Sequence, residues 1–512
     1  MGSSEKEIQN RTDAIKNFFL DWIKDNHNKI FLGIFLFAVI IRVYFFFKTL
    51  DQAVWWDAAD YLTQAKYLAG NLNFDYTFDP HRPFFLALLW GILFRIGFGE
   101  ITLRFTELLF SIAAIPAIYL VGKSLFNKKV GLISSFLLTI FWQHLFFSFR
   151  LMTEIPSLTF FIFAVYFFWE GYIKDRKKML VWFAVFLSLS FLSRGGALVM
   201  FAVFPLFLLI KDKFKFLKNK QLWISAMIVF VFVSTFFVFI YFKEGVNPLS
   251  RFLSLTPDSD LGGGGRFTNI MGIDGIFQYA RFFPDYFGMI LLVIFIISLL
   301  IVLFEVIINF DIILKKTPKN LISTLFVIIW AGVPFIYNAV FVGHMEPRYI
   351  LMAFPGFFMI ISIGFLKMKK WFQGKENLGI FFVILILLLG AYFQLSQANQ
   401  SIISKSDSYK EVKQAGEWLK ENTLESSVIF TRSRPQIYYY SERKVYGILE
   451  SKEEFETQLE EIKPNYLMIS VFEGHPEWVY SYPSEHNNTF TPVKVYSQGE
   501  QPVLVIYEIK YT

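Results

Sequence analysis

The feature that most limits how this chain can fold is a succession of apolar runs. Most are close to the ~20 residues that a helix needs to cross a bilayer. They fall at 30–47, 101–121, 130–149, 154–172, 179–192, 197–210, 222–242, 286–310, 321–342, 349–366 and 378–395. One more run, 83–98, is short and carries Arg95. Of the 512 residues, 55% are hydrophobic, 20% aromatic and only 18% charged, which identifies a polytopic membrane protein. The net charge of +7 would suggest a nucleic-acid partner in a soluble chain. Here the lysines cluster in short loops between apolar runs, so membrane topology accounts for them. Cysteine is absent, which excludes disulfides and thiolate metal sites. Residues 1–29 are polar and mixed in charge. They precede a full-length span without a small-residue cleavage site and read as a cytoplasmic N-terminal segment.

Charge decides which runs cross. Five loops are basic: Lys123 to Lys129, Lys174 to Lys178, Lys211 to Lys220, Lys315 to Lys319 and Lys367 to Lys370. All five lie on the cytoplasmic side only if 83–98 does not cross and 179–210 crosses twice. The first is short enough to lie at the interface as a juxtamembrane helix. The second breaks at Ser193-Arg194-Gly195-Gly196. The expected architecture is an all-α membrane domain over 30–397. It has about eleven transmembrane helices plus juxtamembrane helices in the first outer loop, with the N-terminus cytoplasmic. Residues 398–512 change to a soluble pattern of short strands and helices. Apolar alternation at 428–431, 445–448, 466–471, 493–497 and 503–509, with helical spacing at 409–422 and 452–462, predicts a small extracytoplasmic α/β domain.

This topology collects the acids and arginines of several loops on one outer face. Asp57 and Asp60 are three residues apart, on one side of a helix. Glu154 opens an apolar run with Pro156 in its first turn. Arg82, Arg194, Arg266 and Arg348 are expected at the same level. Each has a plain alternative. Trp55 and Trp56 read as interfacial anchors, Glu154 as a helix-start acid, Arg194 as a snorkelling cation and Arg348 as a partner of Glu346. Taken together they suit chemistry. A carboxylate deprotonates a hydroxyl, and guanidinium groups match phosphate oxygens. A phosphate-bearing donor outside the cytoplasm is most simply lipid-linked. The glycine run 262–265, in a long outer segment, reads equally as a plain linker or a lid.

These residues resemble a known group. Trp56-Asp57-Ala58-Ala59-Asp60-Tyr61 is similar to the first outer loop of the C-superfamily glycosyltransferases. The likeness is to the protein O-mannosyltransferase and lipid A aminoarabinose transferase branch. Arg82-Pro83-Phe84, Arg150 to Pro156, Ser193-Arg194-Gly195 and His344-Met345-Glu346-Pro347-Arg348-Tyr349 resemble its later elements in order. The resemblance implies transfer of a sugar from a polyprenyl phosphate, dolichyl or undecaprenyl, to an extracytoplasmic acceptor hydroxyl on lipid, protein or glycan. Inversion at the sugar is implied, with Asp57 as the base. It implies donor-phosphate roles for Arg82, Arg194, Arg348 and Arg266. Asp60, Tyr61, Glu154, His344 and Glu346 would position donor or acceptor. No cofactor is fixed. A divalent metal is left open, although Ala58 stands where the family often has a second acid. The alternatives are a lipid-linked-sugar transporter, which calls for paired polar groups mid-membrane, and an oligosaccharyltransferase. The latter carries Trp-Trp-Asp in its soluble domain, where this chain has none.

Overall fold

The computed structural model describes residues 13, 16–17, 20–73, 76–79, 82–245, 271–316, 318–342 and 345–511. The membrane part begins with α1 (Asn26–Lys48), α2 (Trp56–Ala69), α3 (Phe85–Arg95), α4 (Glu100–Leu125), α5 (Lys128–Ile140), α6 (Trp142–Phe147), α7 (Glu154–Phe168) and α8 (Met179–Ser193). A tight 3-10 turn, Gly195–Ala202, leads into α9 (Val203–Asp212), then α10 (Lys220–Glu244). Beyond residue 270 come α11 (Gly272–Arg281), α12 (Phe283–Ile308), α13 (Phe310–Lys316) and α14 (Lys319–Ile336). A second 3-10 turn, Pro347–Ala353, opens α15 (Phe354–Lys369), and α16 (Glu376–Ile403) follows.

Among the described residues, nine helices are long and apolar enough to cross a membrane. The other two expected crossings are shorter. The 179–192 run is the 15-residue α8. The 130–149 run breaks at Phe141, whose extended backbone (ψ 115°) separates α5 from α6. The short 83–98 run forms the 11-residue α3 beside α2, both outside the nine.

Burial ranks the helices. The stretch Pro347–Phe372 is 89% buried and forms the axis of the bundle, whereas α10 is 17% buried and faces outward. Close approach to that axis depends on small residues. At Gly364 on α15 a Cβ would fall inside the Ser298 side chain of α12. Gly364→Ala is therefore expected to destabilise the bundle by about 1–3 kcal/mol through overpacking. A lowered thermal unfolding midpoint in detergent checks this.

Buried hydroxyls of the bundle bond mainly to helix carbonyls, a few polar side chains bond to one another, and Glu107, fully buried in α4, has no hydrogen-bond partner among the described residues. Arg42, fully buried in α1, donates to Ser111 Oγ at 2.7 Å and lies 3.0 Å from His144 Nδ1. Glu305 pairs with Lys367 at 2.5 Å. Arg42 sits inside the first apolar run, whose hydrophobic neighbours mask it.

After α16 the chain forms α17 (Lys410–Asn422), β1 (Val428–Phe430), α18 (Arg434–Ser441), β2 (Lys444–Tyr446), α19 (Lys452–Ile462) and β3 (Tyr466–Ser470). It ends with α20 (Glu477–Glu485), β4 (Phe490–Gln498) and β5 (Gln501–Ile509). The sheet order is β2-β1-β3-β5-β4. β1 runs parallel to β2 and β3, and helices α18 and α19 supply the crossovers that parallel strands need. β5 pairs antiparallel with β3 and β4, closing the chain as a hairpin. The strands and the helices α17 and α19 fall where alternation and helical spacing place them. Helices α18 and α20 are additional.

Candidate active site

The site is built where helices end. α2 starts after an extended Trp55 and stops at Gly70, whose φ of +77° lets its N–H reach the Lys66 and Tyr67 carbonyls. That helix presents Asp57 and Asp60 on one face. Glu154 is the first residue of α7. Arg194 is the extended residue that ends α8 before the glycine pair. Arg348 follows Pro347 at the start of the 3-10 turn that opens the axial helix α15. Helix ends in a bundle share a level, so separate loops deliver these groups to one place.

They form a ladder of alternating charge. Arg82 Nη2 donates to Asp57 Oδ1 at 3.0 Å. Arg348 Nη2 donates to Asp57 Oδ2 at 2.7 Å. Arg348 Nη1 lies 3.5 Å from Glu154 Oε1, which also accepts from Arg194 Nη1 at 2.6 Å. Arg348 Nε donates to Glu346. On the other side, Arg82 holds Asp60 and Asp79, each at 3.1 Å. Its guanidinium lies 4.9 Å from the centre of the Tyr61 ring. Tyr76 donates to Asp60 Oδ1 at 3.1 Å, and Arg194 reaches Thr153 Oγ1 at 3.2 Å. The Glu154 side chain is 2% exposed, whereas Asp57 (27%), Asp60 (29%) and Glu346 (29%) are open to solvent, and of these three only Asp57 is held by both Arg82 and Arg348.

The two acids of α2 are driven apart. Burial pushes the Asp57 carboxyl up, but the charges of Arg82 and Arg348 outweigh it and leave the group below its ordinary value. Burial raises Asp60, Arg82 pulls it down and the neighbouring Asp79 pushes it up, with a net upward shift. Burial also raises the Tyr61 phenol, which stays neutral. Opposite shifts on neighbouring acids are a pattern of acid–base sites. Asp57 is the acid whose charged form the arginines favour.

Of the residues picked out from the sequence, Asp57, Asp60, Tyr61, Arg82, Glu154, Arg194, Glu346 and Arg348 come together. His344 and Arg266 lie outside the described residues, as does the 262–265 glycine run. Asp79, Tyr76 and Thr153 join the site without having been assigned a role in it, and the one sequence signal among them is the spacing of Asp79, three residues before Arg82. Trp55, read as an interfacial anchor, is half-buried and has two ring contacts. Arg150 lies over its ring at 4.3 Å, and Phe146 packs edge-on at 5.7 Å. Trp56 remains 44% exposed.

The fit of a divalent metal can be tested on the donors themselves. Both oxygens of Asp57 are engaged by arginines, Asp60 by Arg82 and Tyr76, and Glu346 by Arg348. Among the described residues no three acidic or histidine side chains converge as a ligand set. As placed, these carboxylates are committed to arginines and do not fit a metal site among the described residues.

Residues 81–239 match the family described as dolichyl-phosphate-mannose-protein mannosyltransferase. No curated protein sequence matches the chain. Among solved structures, the oligosaccharyltransferase of Archaeoglobus fulgidus in its apo form superposes with a TM-score of 0.65 at 15% identity, over 88% of this chain and 70% of that one. ArnT from Cupriavidus metallidurans bound to undecaprenyl phosphate gives 0.61 at 11% identity, over 92% and 97%. AglB from Archaeoglobus fulgidus, in complex with an inhibitory peptide and a dolichol-phosphate, gives 0.62 at 14% identity, over 96% and 75%. At these identities the likeness is one of fold.

Proposed function

Starting from a chain that has the fold of the C-superfamily membrane glycosyltransferases, we propose that it moves a sugar from a polyprenyl phosphate to an acceptor hydroxyl outside the cytoplasm. The observation that carries this reading is the Asp57 carboxylate held between the guanidinium groups of Arg82 and Arg348. A base and two phosphate-binding cations are thereby placed within one hydrogen-bond length of each other.

The reaction follows from that placement. Asp57 takes the proton of the acceptor hydroxyl. The acceptor oxygen forms a bond to the anomeric carbon from the face opposite the phosphate. The carbon–oxygen bond to the phosphate breaks, its electron pair stays on the phosphate oxygen, and the configuration inverts. Arg82 and Arg348 neutralise the charge that develops on the leaving phosphate. Arg194 supports this from behind by sharing Glu154 with Arg348.

The same arginines hold Asp57 when no donor is bound. An arriving phosphate competes for them, loosens their grip on the carboxylate and so raises its basicity. Donor binding thus prepares the base. In this reading the basic loops face the cytoplasm, while the site and the C-terminal α/β unit lie outside it. The acceptor is a lipid, a protein or a glycan.

The direct test is incubation of the purified chain in nanodiscs with radiolabelled polyprenyl-phosphate sugars and a membrane extract. A labelled product dependent on Asp57 supports the reading. Label crossing proteoliposomes without any acceptor, and no labelled product, replaces it with transport.

A further inference from the structure

We infer that the C-terminal α/β unit is a positioning element for the helix that carries Asp57. It holds that helix at both ends through α18 and Glu442. The inference rests on the proposed transfer reaction for its catalytic consequence, though not for its mechanics.

α2 needs such a support. It is a 14-residue helix, too short to cross a bilayer; its middle packs into the bundle core through Ala59, Leu62 and Ala65, and its two ends are left for other contacts to fix. A base has to be placed to within a fraction of an ångström, and a displacement of ~1 Å costs about 10²-fold in rate. α18 supplies contacts that fit the task. Ile437 on one of its faces belongs to the core under the sheet. Tyr439 and Tyr440 on another belong to the core of the membrane bundle. The short helix therefore straddles both units.

Its contacts reach both ends of α2. Before the helix starts, the Val54 N–H donates to Tyr440 Oη at 2.8 Å. In the last turn of α2, Lys66 Nζ donates to Glu442 at 2.6 Å and to the Tyr439 carbonyl at 2.8 Å. The same ammonium lies 4.3 Å from the centre of the Tyr439 ring. Lys66 is 12% exposed and Glu442 20%, so water screens this pair little. Asp57 and Asp60 lie between the two tethers.

The support is itself braced. Lys420 of α17 pairs with Glu442 at 2.7 Å. Gly416 lets α17 approach the Tyr440 backbone so closely that a Cβ there would meet the tyrosine side chain. Tyr439 donates to Glu100 at 3.1 Å, and Glu100 holds Arg104. Arg104 in turn donates to the Gln52 carbonyl at 2.5 Å, in the segment entering α2. None of these groups touches the Asp57 ladder directly.

The test uses full-length Tyr440→Phe, Glu442→Gln, Lys66→Met and Lys66→Arg in nanodiscs. Amide hydrogen exchange over 56–69 and steady-state transfer are both measured. Exchange in 56–69 is expected to rise in the first three, with exchange in β3 unchanged. Turnover is expected to fall by about 10-fold or more while the donor KM stays within about twofold, the signature of a misplaced base rather than a lost binding contact. Lys66→Arg, which keeps the charge, is expected to restore turnover. Unchanged exchange in 56–69 in both Tyr440→Phe and Glu442→Gln overturns the inference, as does raised exchange with unchanged turnover. Raised exchange together with a wild type that transfers no sugar supports the coupling and overturns the transferase reading instead.

Discussion

Asp57→Asn is expected to lower sugar transfer by about 10²–10⁴-fold, the usual contribution of a positioned base, while the protein still expresses, folds and binds donor. The amide matches the carboxylate in shape but cannot accept the hydroxyl proton. Its single carbonyl oxygen serves only one of the two arginines that Asp57 now engages. Donor binding survives because Arg82 and Arg348 remain, and one of them is freed for the phosphate. A fall in turnover with little change in donor KM is therefore the expected pattern. The variant also changes how stability depends on pH. A carboxyl whose pKa is lowered on folding stabilises the fold above its unfolded value, and that contribution is lost as pH falls through the folded one. Acid should accordingly destabilise the wild type more than Asp57→Asn. Transfer that persists at the wild-type rate in purified Asp57→Asn removes Asp57 from the mechanism.

The reading of the sequence reached this aspartate by an indirect route, and its reach has a physical boundary. Apolar run length and loop charge act along the membrane normal, so they sort residues by depth. That is why Glu154, Arg194 and Arg348, each at a helix end, could be placed at one level with Asp57. Depth says nothing about lateral adjacency. The joining of Arg348 to Asp57 and Glu154 depends on the axial position of α15, which hydrophobicity does not reveal, since α10 is equally apolar and lies at the rim. Trp55 shows the same gap: its depth was legible, but its contacts with Arg150 and Phe146 were not. Phe141 has no proline or glycine to announce the break between α5 and α6. Arg42 was hidden by its apolar neighbours. Its partners Ser111 and His144 come from other helices, and no local pattern links them. In the C-terminal unit, strand alternation was legible. The use of Tyr439 and Tyr440 to grip the membrane bundle was not, because aromatic side chains in a soluble unit ordinarily fill its own core.

Arg348→Met should act on binding, pH dependence and stability at once, because Arg348 joins three carboxylates: Asp57, Glu154 and Glu346. Methionine keeps much of the length and removes the charge. A charge-assisted hydrogen bond contributes about 1.5–3 kcal/mol, so the donor KM should rise by about 10- to 100-fold. Asp57 loses one of the two cations that hold its pKa down. Its pKa then rises, and the acid limb of the kcat/KM profile shifts to higher pH. Glu154, with a side chain only 2% exposed, keeps Arg194 as its one guanidinium partner. Removing one member of a buried ionic cluster costs on the order of 3 kcal/mol, so the thermal midpoint should fall as well. Arg348→Lys separates the contributions. It keeps the charge and with it much of the Asp57 shift, but loses the planar fork that spans Asp57 and Glu346. Its acid limb should stay near the wild type while its donor KM rises. An Arg348→Met enzyme with wild-type donor KM and an unmoved acid limb would break the link between the guanidinium ladder and the reacting phosphate, and with it the assignment of Asp57 as a base released by donor binding.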